Sequence, residues 1–135
     1  MKVVLDCNII VMSLASRSPY HKIYRALTGQ HIDLLVSNDI LLEYEEIITS
    51  KFSKKAWELL LQLLSELKNV HLQSIYYHWN LITADKDDNK YVDCYIAGSG
   101  DFIVTQDKHF NILNNLSFPQ INVISIDDFL EKLNF

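Results

Sequence analysis

Residues 1–10 of the chain read MKVVLDCNII. Val3, Val4 and Leu5 form a short apolar run without polar alternation, which predicts a strand buried on both faces. The run ends in Asp6, followed by Cys7 and Asn8, and an acid closing a buried strand needs a physical reason. Residues 101–107, DFIVTQD, repeat the arrangement: a second apolar strand that ends in Asp107. Two carboxylates at strand ends are therefore the first feature to explain.

Further strands are expected at residues 32–37 (IDLLVS) and 121–126 (INVISI), with a weaker one at 69–75 (NVHLQSI). Helices are expected between them. Residues 17–30 carry a start at Ser18 and Pro19, a stop at Gly29, and an apolar stripe of Tyr20, Ile23, Tyr24 and Leu27. Ser37 is placed to cap a helix to about Thr49, with Ile40, Leu41, Tyr44, Ile47 and Ile48 inward. Ser53 is placed to cap the next, where Trp57, Leu60, Leu61, Leu64 and Leu67 recur at helical spacing. Residues 76–88 read as a loop or short helix. Residues 87–100 read as a helix with an acidic start and a stop at Gly98 or Gly100, and 127–135 as a short closing helix.

Strands alternating with helices predict an α/β fold: a three-layer α/β/α sandwich around a parallel sheet of four to five strands. The length of 135 residues and the 49% hydrophobic composition allow one domain, residues 1–135, with a substantial core. Three Gly and two Pro argue against a loop-rich or disordered chain. The formal net charge of −5 provides no global attraction to nucleic acid, so a polyanion partner needs a local basic patch or a metal ion. Asp6 interrupts the opening apolar run, so no signal peptide is expected. No apolar stretch is long enough to span a bilayer. Cys7 and Cys94 are far apart and form no CxxC, and a reduced, cytoplasmic protein is expected.

Ligands of open parallel sheets gather at the carboxyl ends of the strands, where strand order reverses. Asp6 and Asp107 point to that edge. The helices bring more acids. At about 100° per residue, Glu43 and Glu45 fall at opposite borders of the inward stripe of the Ser37 helix, and the wheel does not choose between them. On the later helix, Tyr91, Val92, Tyr95 and Ile96 define the inward face. Asp88 lies on that face at the helix start, and Asp93 lies well off it. Each acid alone has a structural explanation: Asp88 as a helix-start residue favoured by the dipole, Asp6 and Asp107 as turn or cap residues. Together they form a cluster of like charge that costs stability unless a cation offsets it. Oxygen ligands suit a hard ion, Mg²⁺ or Mn²⁺. The five histidines show no HxH or HExxH spacing, which excludes a zinc motif. GxGxxG, P-loop and GxSxG patterns are absent. Tyr76, Tyr77 and Trp79 are read as core or loop anchors rather than base-stacking residues.

Three blocks, VVLDCNIIVMSL (3–14), LLVSNDILLEYEEII (34–48) and DKDDNKYVDCYIAGSGDFIVTQDKHF (85–110), resemble the PIN domain. More narrowly, they resemble the branch that supplies toxins of toxin–antitoxin pairs, the VapC-like ribonucleases. The resemblance implies a metal-dependent endoribonuclease with three or four acids around one or two Mg²⁺ or Mn²⁺ ions. Carried over, those acids are Asp6, Glu43, Asp88 and Asp107. Asn8 is a polar helper, Ser37 and Thr105 match flanking polar positions, and Asp87 and Asp93 are alternates for the third acid. Cys7 stands where Thr or Ser is common, and Gln106 where Gly is frequent; neither departure removes a carboxylate. The resemblance further implies an RNA substrate, an antitoxin partner and a homodimer. Alternatives are a PIN-type RNA-processing nuclease, a non-catalytic PIN-like binding domain and, from a different class, a receiver-like signalling domain.

Overall fold

The computed structural model describes residues 1–135. Five parallel strands form one sheet in the order β3-β2-β1-β4-β5, with β1 Lys2–Leu5, β2 Asp33–Val36, β3 Val70–Leu72, β4 Phe102–Val104 and β5 Val123–Ile124. Six helices complete the three-layer α/β/α sandwich: α1 Cys7–Leu14, α2 His21–Thr28, α3 Asn38–Lys51, α4 Lys54–Glu66, α5 Asn89–Ala97 and α6 Ile126–Lys132. Val3, Val4 and Leu5 are all fully buried. Successive strand residues point to opposite faces, so burial of all three shows that both faces of β1 are covered.

The strand order places the reversal between β1 and β4. From β1 the chain adds β2 and then β3 on one side; β4 returns to the other side of β1 and β5 follows it. Both partners are in parallel register, with Val4 opposite Ile103 and Leu5 opposite Val104. The next pair along that register is Asp6 and Thr105. The Asp6 N–H continues the ladder, donating to the Val104 carbonyl at 3.1 Å.

Local chemistry sets the helix ends. Ser37 accepts from the Ile40 N–H and Ser53 from the Ala56 N–H, each capping the helix that follows. Gly98 ends α5 and lies against β2, where an added Cβ would stand 2.7 Å from Leu35 Cδ1. Asn89 binds the backbone of Ile82 twice, its Oδ1 accepting from the N–H and its Nδ2 donating to the carbonyl, both at 2.9 Å. That pairing fastens the irregular segment 73–84 to the start of α5.

Three elements differ from the sequence expectation. The segment after Asp6 forms α1, although its apolar run lacks the polar face that marks a surface helix. Ile9, Ile10 and Ser13 are buried in it. Residues Lys108–Asn115 form a 3₁₀ segment that had no signal, and Phe110 and Leu113 anchor it in the core. Ser18 and Pro19 belong to a turn, and α2 starts at His21.

The Tyr44 hydroxyl of α3 donates to the Leu5 carbonyl, tying the helix to the last residue of β1. Tyr44→Phe removes that bond and keeps the ring, so it should lower stability by about 1 kcal/mol. Urea unfolding should show a lower midpoint with an unchanged slope; an unchanged midpoint would mean the bond contributes nothing.

Candidate active site

Asp6 ends β1 and precedes α1, a position where an Asp normally caps the helix. Its side chain makes no cap hydrogen bond. Asp6 Oδ2 instead accepts from the Thr105 hydroxyl at 2.7 Å, across the gap between β1 and β4. Thr105 in turn accepts from the Asp107 N–H at 3.0 Å. One buried hydroxyl therefore links the two strand-end acids.

Asp88 precedes α5 and also makes no cap hydrogen bond; Asp85 accepts from the Asp87 N–H in that turn instead. Asp88 Oδ2 is buried without any partner. The nearest donor candidate is His109 Nδ1 at 3.8 Å, beyond hydrogen-bond reach. Only Asp107 does what the structural explanation required, accepting from the His109 N–H at 2.9 Å and capping the 3₁₀ segment. Glu43 lies on the site side of α3, while Glu45 is exposed, which resolves the choice the helical wheel left open. Lys90 Nζ is 2.8 Å from Glu43 Oε2, and the Tyr91 hydroxyl donates to Oε1. The same hydroxyl accepts from the Cys7 N–H at 3.2 Å.

These side chains form two triplets of potential ligand atoms, each within 4.8 Å: Asp6, Cys7 and Glu43, and Asp88, Asp107 and His109. The electrostatics follow. Burial pushes the Asp6 carboxyl up, hydrogen bonds from Thr105 and Cys7 pull it partly back, and Glu43 adds a rise. Burial also raises Glu43, but Lys90 and Tyr91 outweigh it and hold the group below its ordinary value. Asp88 is raised to about 7, first by burial and then by the charges of Asp107, Asp85, Asp6 and Glu43. Burial and the neighbouring Asp6 and Glu43 push the Cys7 thiol up to about 12.

A partnerless carboxylate oxygen among like charges fits a divalent cation, and the Asp88, Asp107 and His109 triplet around it offers hard oxygens with one imidazole. The sequence predicts an all-oxygen shell; His109, two residues after Asp107, lies within ligand spacing of Asp88 and Asp107. Tyr91 and Lys90 had no functional signal, because their contacts to Glu43 cross between two helices.

The polar residues expected around the acids fall out differently. Thr105 is in the cluster. Ser37 and Asp87 line an adjoining groove of about 450 Å³, beside Glu43, Lys86 and Lys90. Asn8 is exposed on α1 and makes no side-chain hydrogen bond. Asp93 corrects the expectation in its burial. It is buried rather than off the packed face, with Oδ2 3.0 Å from His78 Nδ1 and Oδ1 accepting from the Trp79 N–H at 3.0 Å, and it lines the same groove as Ser37 and Asp87. Segment 73–84 covers the face of α5 that the wheel assigned to solvent. Tyr76 and Tyr77 on that segment are exposed rather than core.

The sequence pattern of the PIN domain matches residues 2–109. The chain belongs to the PIN domain family. A comparison with curated proteins finds no match. Three solved structures share the fold. The VapBC2 complex from Rickettsia felis, bound to a DNA fragment from its promoter, aligns with a TM-score of 0.63 at 17% identity, covering 93% of this chain and 98% of the other. The RRP44 PIN domain of T. brucei gives 0.55 at 17% identity, covering 96% and 79%. The PIN domain endonuclease Utp24 gives 0.54 at 14%, covering 92% and 84%. No helix of this PIN domain is long and apolar enough to cross a membrane.

The raised Asp88 has a consequence for the metal-free protein. Its ordinary value is 3.8 and its folded value about 7, so between these the folded state binds more protons than the unfolded one. Stability from this group is full below the unfolded value and is lost as pH rises through about 7. In melts with chelator present, the wild type should lose more stability between pH 5 and pH 8 than Asp88→Asn does. Equal losses in the two proteins would contradict the assignment.

Proposed function

We propose that residues 1–135 act as one PIN nuclease domain that cleaves RNA phosphodiester bonds with bound Mg²⁺ or Mn²⁺, as the toxin of a toxin–antitoxin pair. The observation that carries the nuclease reading is the partnerless Asp88 oxygen among four acids at the β1/β4 reversal. Asp6, Asp88 and Asp107 would hold the ion, with Glu43 completing the acidic shell. A divalent cation there would lower the pKa of attacking water and offset charge on the phosphoryl oxygens.

The chain's own groups set the geometry. Thr105 fixes one oxygen of Asp6. Tyr91 and Lys90 fix Glu43. Asp107 is held at the mouth of the 3₁₀ segment by its cap. The negative cluster repels a phosphate until a cation is present, so substrate engagement depends on metal loading. Free Cys7 and Cys94 accord with a reduced cytoplasmic setting.

The toxin role is supported by the likeness to the VapBC2 complex, and the likeness to RRP44 and Utp24 supports RNA processing as the second reading. Co-expression with the product of an adjacent reading frame separates them: a toxin's growth arrest is relieved by its antitoxin, whereas a processing nuclease gains nothing from it. Homodimerisation is part of the same proposal and is read by light scattering.

Asp6→Asn should reduce Mn²⁺-dependent RNA cleavage at least about a hundredfold, since even outer-shell changes at metal sites cost 10–100-fold. It should also abolish the rise in melting temperature that Mn²⁺ gives the wild type. The metal-free variant should melt no lower than the wild type, because one repelling charge is gone. Retention of full metal-dependent cleavage would refute the role of Asp6.

A further inference from the structure

We propose that Lys90 is a built-in cation that takes the place of a second metal ion beside Glu43, so that this PIN domain binds a single divalent ion, on the Asp88–Asp107 side of the cluster. The inference rests on the metal-dependent reading above and goes beyond it by assigning the ion count and the residue that sets it.

The two ligand triplets are not equivalent. In the first, both oxygens of Glu43 are already satisfied, Oε2 by Lys90 Nζ at 2.8 Å and Oε1 by the Tyr91 hydroxyl. Lys90 is held there firmly: its side chain is only 16% exposed, and its ammonium lies 5.6 Å from the centroid of the Tyr91 ring. The other members of that triplet are Asp6, one oxygen of which is held by the Thr105 hydroxyl, and Cys7. In the second triplet no lysine or arginine pairs with Asp88 or Asp107, and Asp88 Oδ2 is buried with nothing bound to it.

An ion entering beside Glu43 would have to displace an ammonium from a charge-assisted hydrogen bond and then sit next to that ammonium's positive charge. An ion entering beside Asp88 meets two carboxylates and the His109 imidazole, with no lysine or arginine to displace. Fixed positive charge is thus supplied by the chain at one half of the cluster and left to solution at the other. Lys90 acts through Glu43, as a positioning residue that sets metal stoichiometry.

Counting bound Mn²⁺ on the full chain by electron paramagnetic resonance of the free ion tests this without reference to activity. The wild type should bind one ion. Lys90→Met, which keeps the aliphatic stem over Tyr91 but frees Glu43, should bind two, and Lys90→Gln should do the same, so the test does not hang on one variant folding. Lys90→Arg, which retains the charge, should bind one. Adding Glu43→Gln to Lys90→Met should remove the second ion. Two ions on the wild type, or one ion on both Lys90→Met and Lys90→Gln, would overturn the inference while leaving the metal site intact. No bound ion on the wild type would overturn the metal-dependent reading itself.

Discussion

A parallel sheet whose strand order reverses leaves a crevice at the carboxyl edge, and here that crevice lies between β1 and β4. Parallel register brings Asp6 and Thr105 level across it, and the hydrogen bond between them is the local statement of the whole architecture. Without that alignment, Asp6 would be free to cap α1, as its position invites. With it, the carboxylate is turned into the crevice and Asp107 is drawn to the same place through the Thr105 hydroxyl. The two helices that bring Glu43 and Asp88 then complete a cluster that no single segment could form.

Such a cluster is unfavourable as it stands, and the molecule handles its members differently. Asp6 and Asp107 receive hydrogen bonds, and Glu43 receives a lysine and a tyrosine. Asp88 receives neither, and burial followed by the charges of its carboxylate neighbours raises its carboxyl to about 7. Preorganised charge that is left uncompensated is the usual mark of a functional site rather than a structural one. The contrast among four chemically similar groups locates the functional demand more sharply than their mere proximity.

The parts of this arrangement that were legible in the sequence are those encoded locally. Two buried strands ending in Asp, a Ser-capped helix with a glutamate at the border of its stripe, and an acid opening a later helix all follow from short-range periodicity and helix chemistry. The choice of Glu43 over Glu45 needed either a family resemblance or the packed structure, because a wheel cannot rank two border positions. Asp93 was misplaced because its burial depends on segment 73–84, which has no periodicity to read and is fixed by long-range bonds from Asn89 and Asp93 themselves. Tyr91 reads as an ordinary inward-facing residue and Lys90 carries no signal, since their partner on α3 lies far away in the chain. Helix α1 has little to betray its period because its mostly apolar residues supply no continuous polar face.

The central claim is that the carboxyl edge between β1 and β4 binds a divalent cation through acids the fold has gathered there. Anomalous scattering from a crystal of the protein grown with Mn²⁺ tests it most directly. The account predicts a peak within about 2.5 Å of Asp88 Oδ2, at hard-cation coordination distance, with Asp107 beside it. A map with no peak in the crevice, at a Mn²⁺ concentration that supports RNA cleavage, would contradict it.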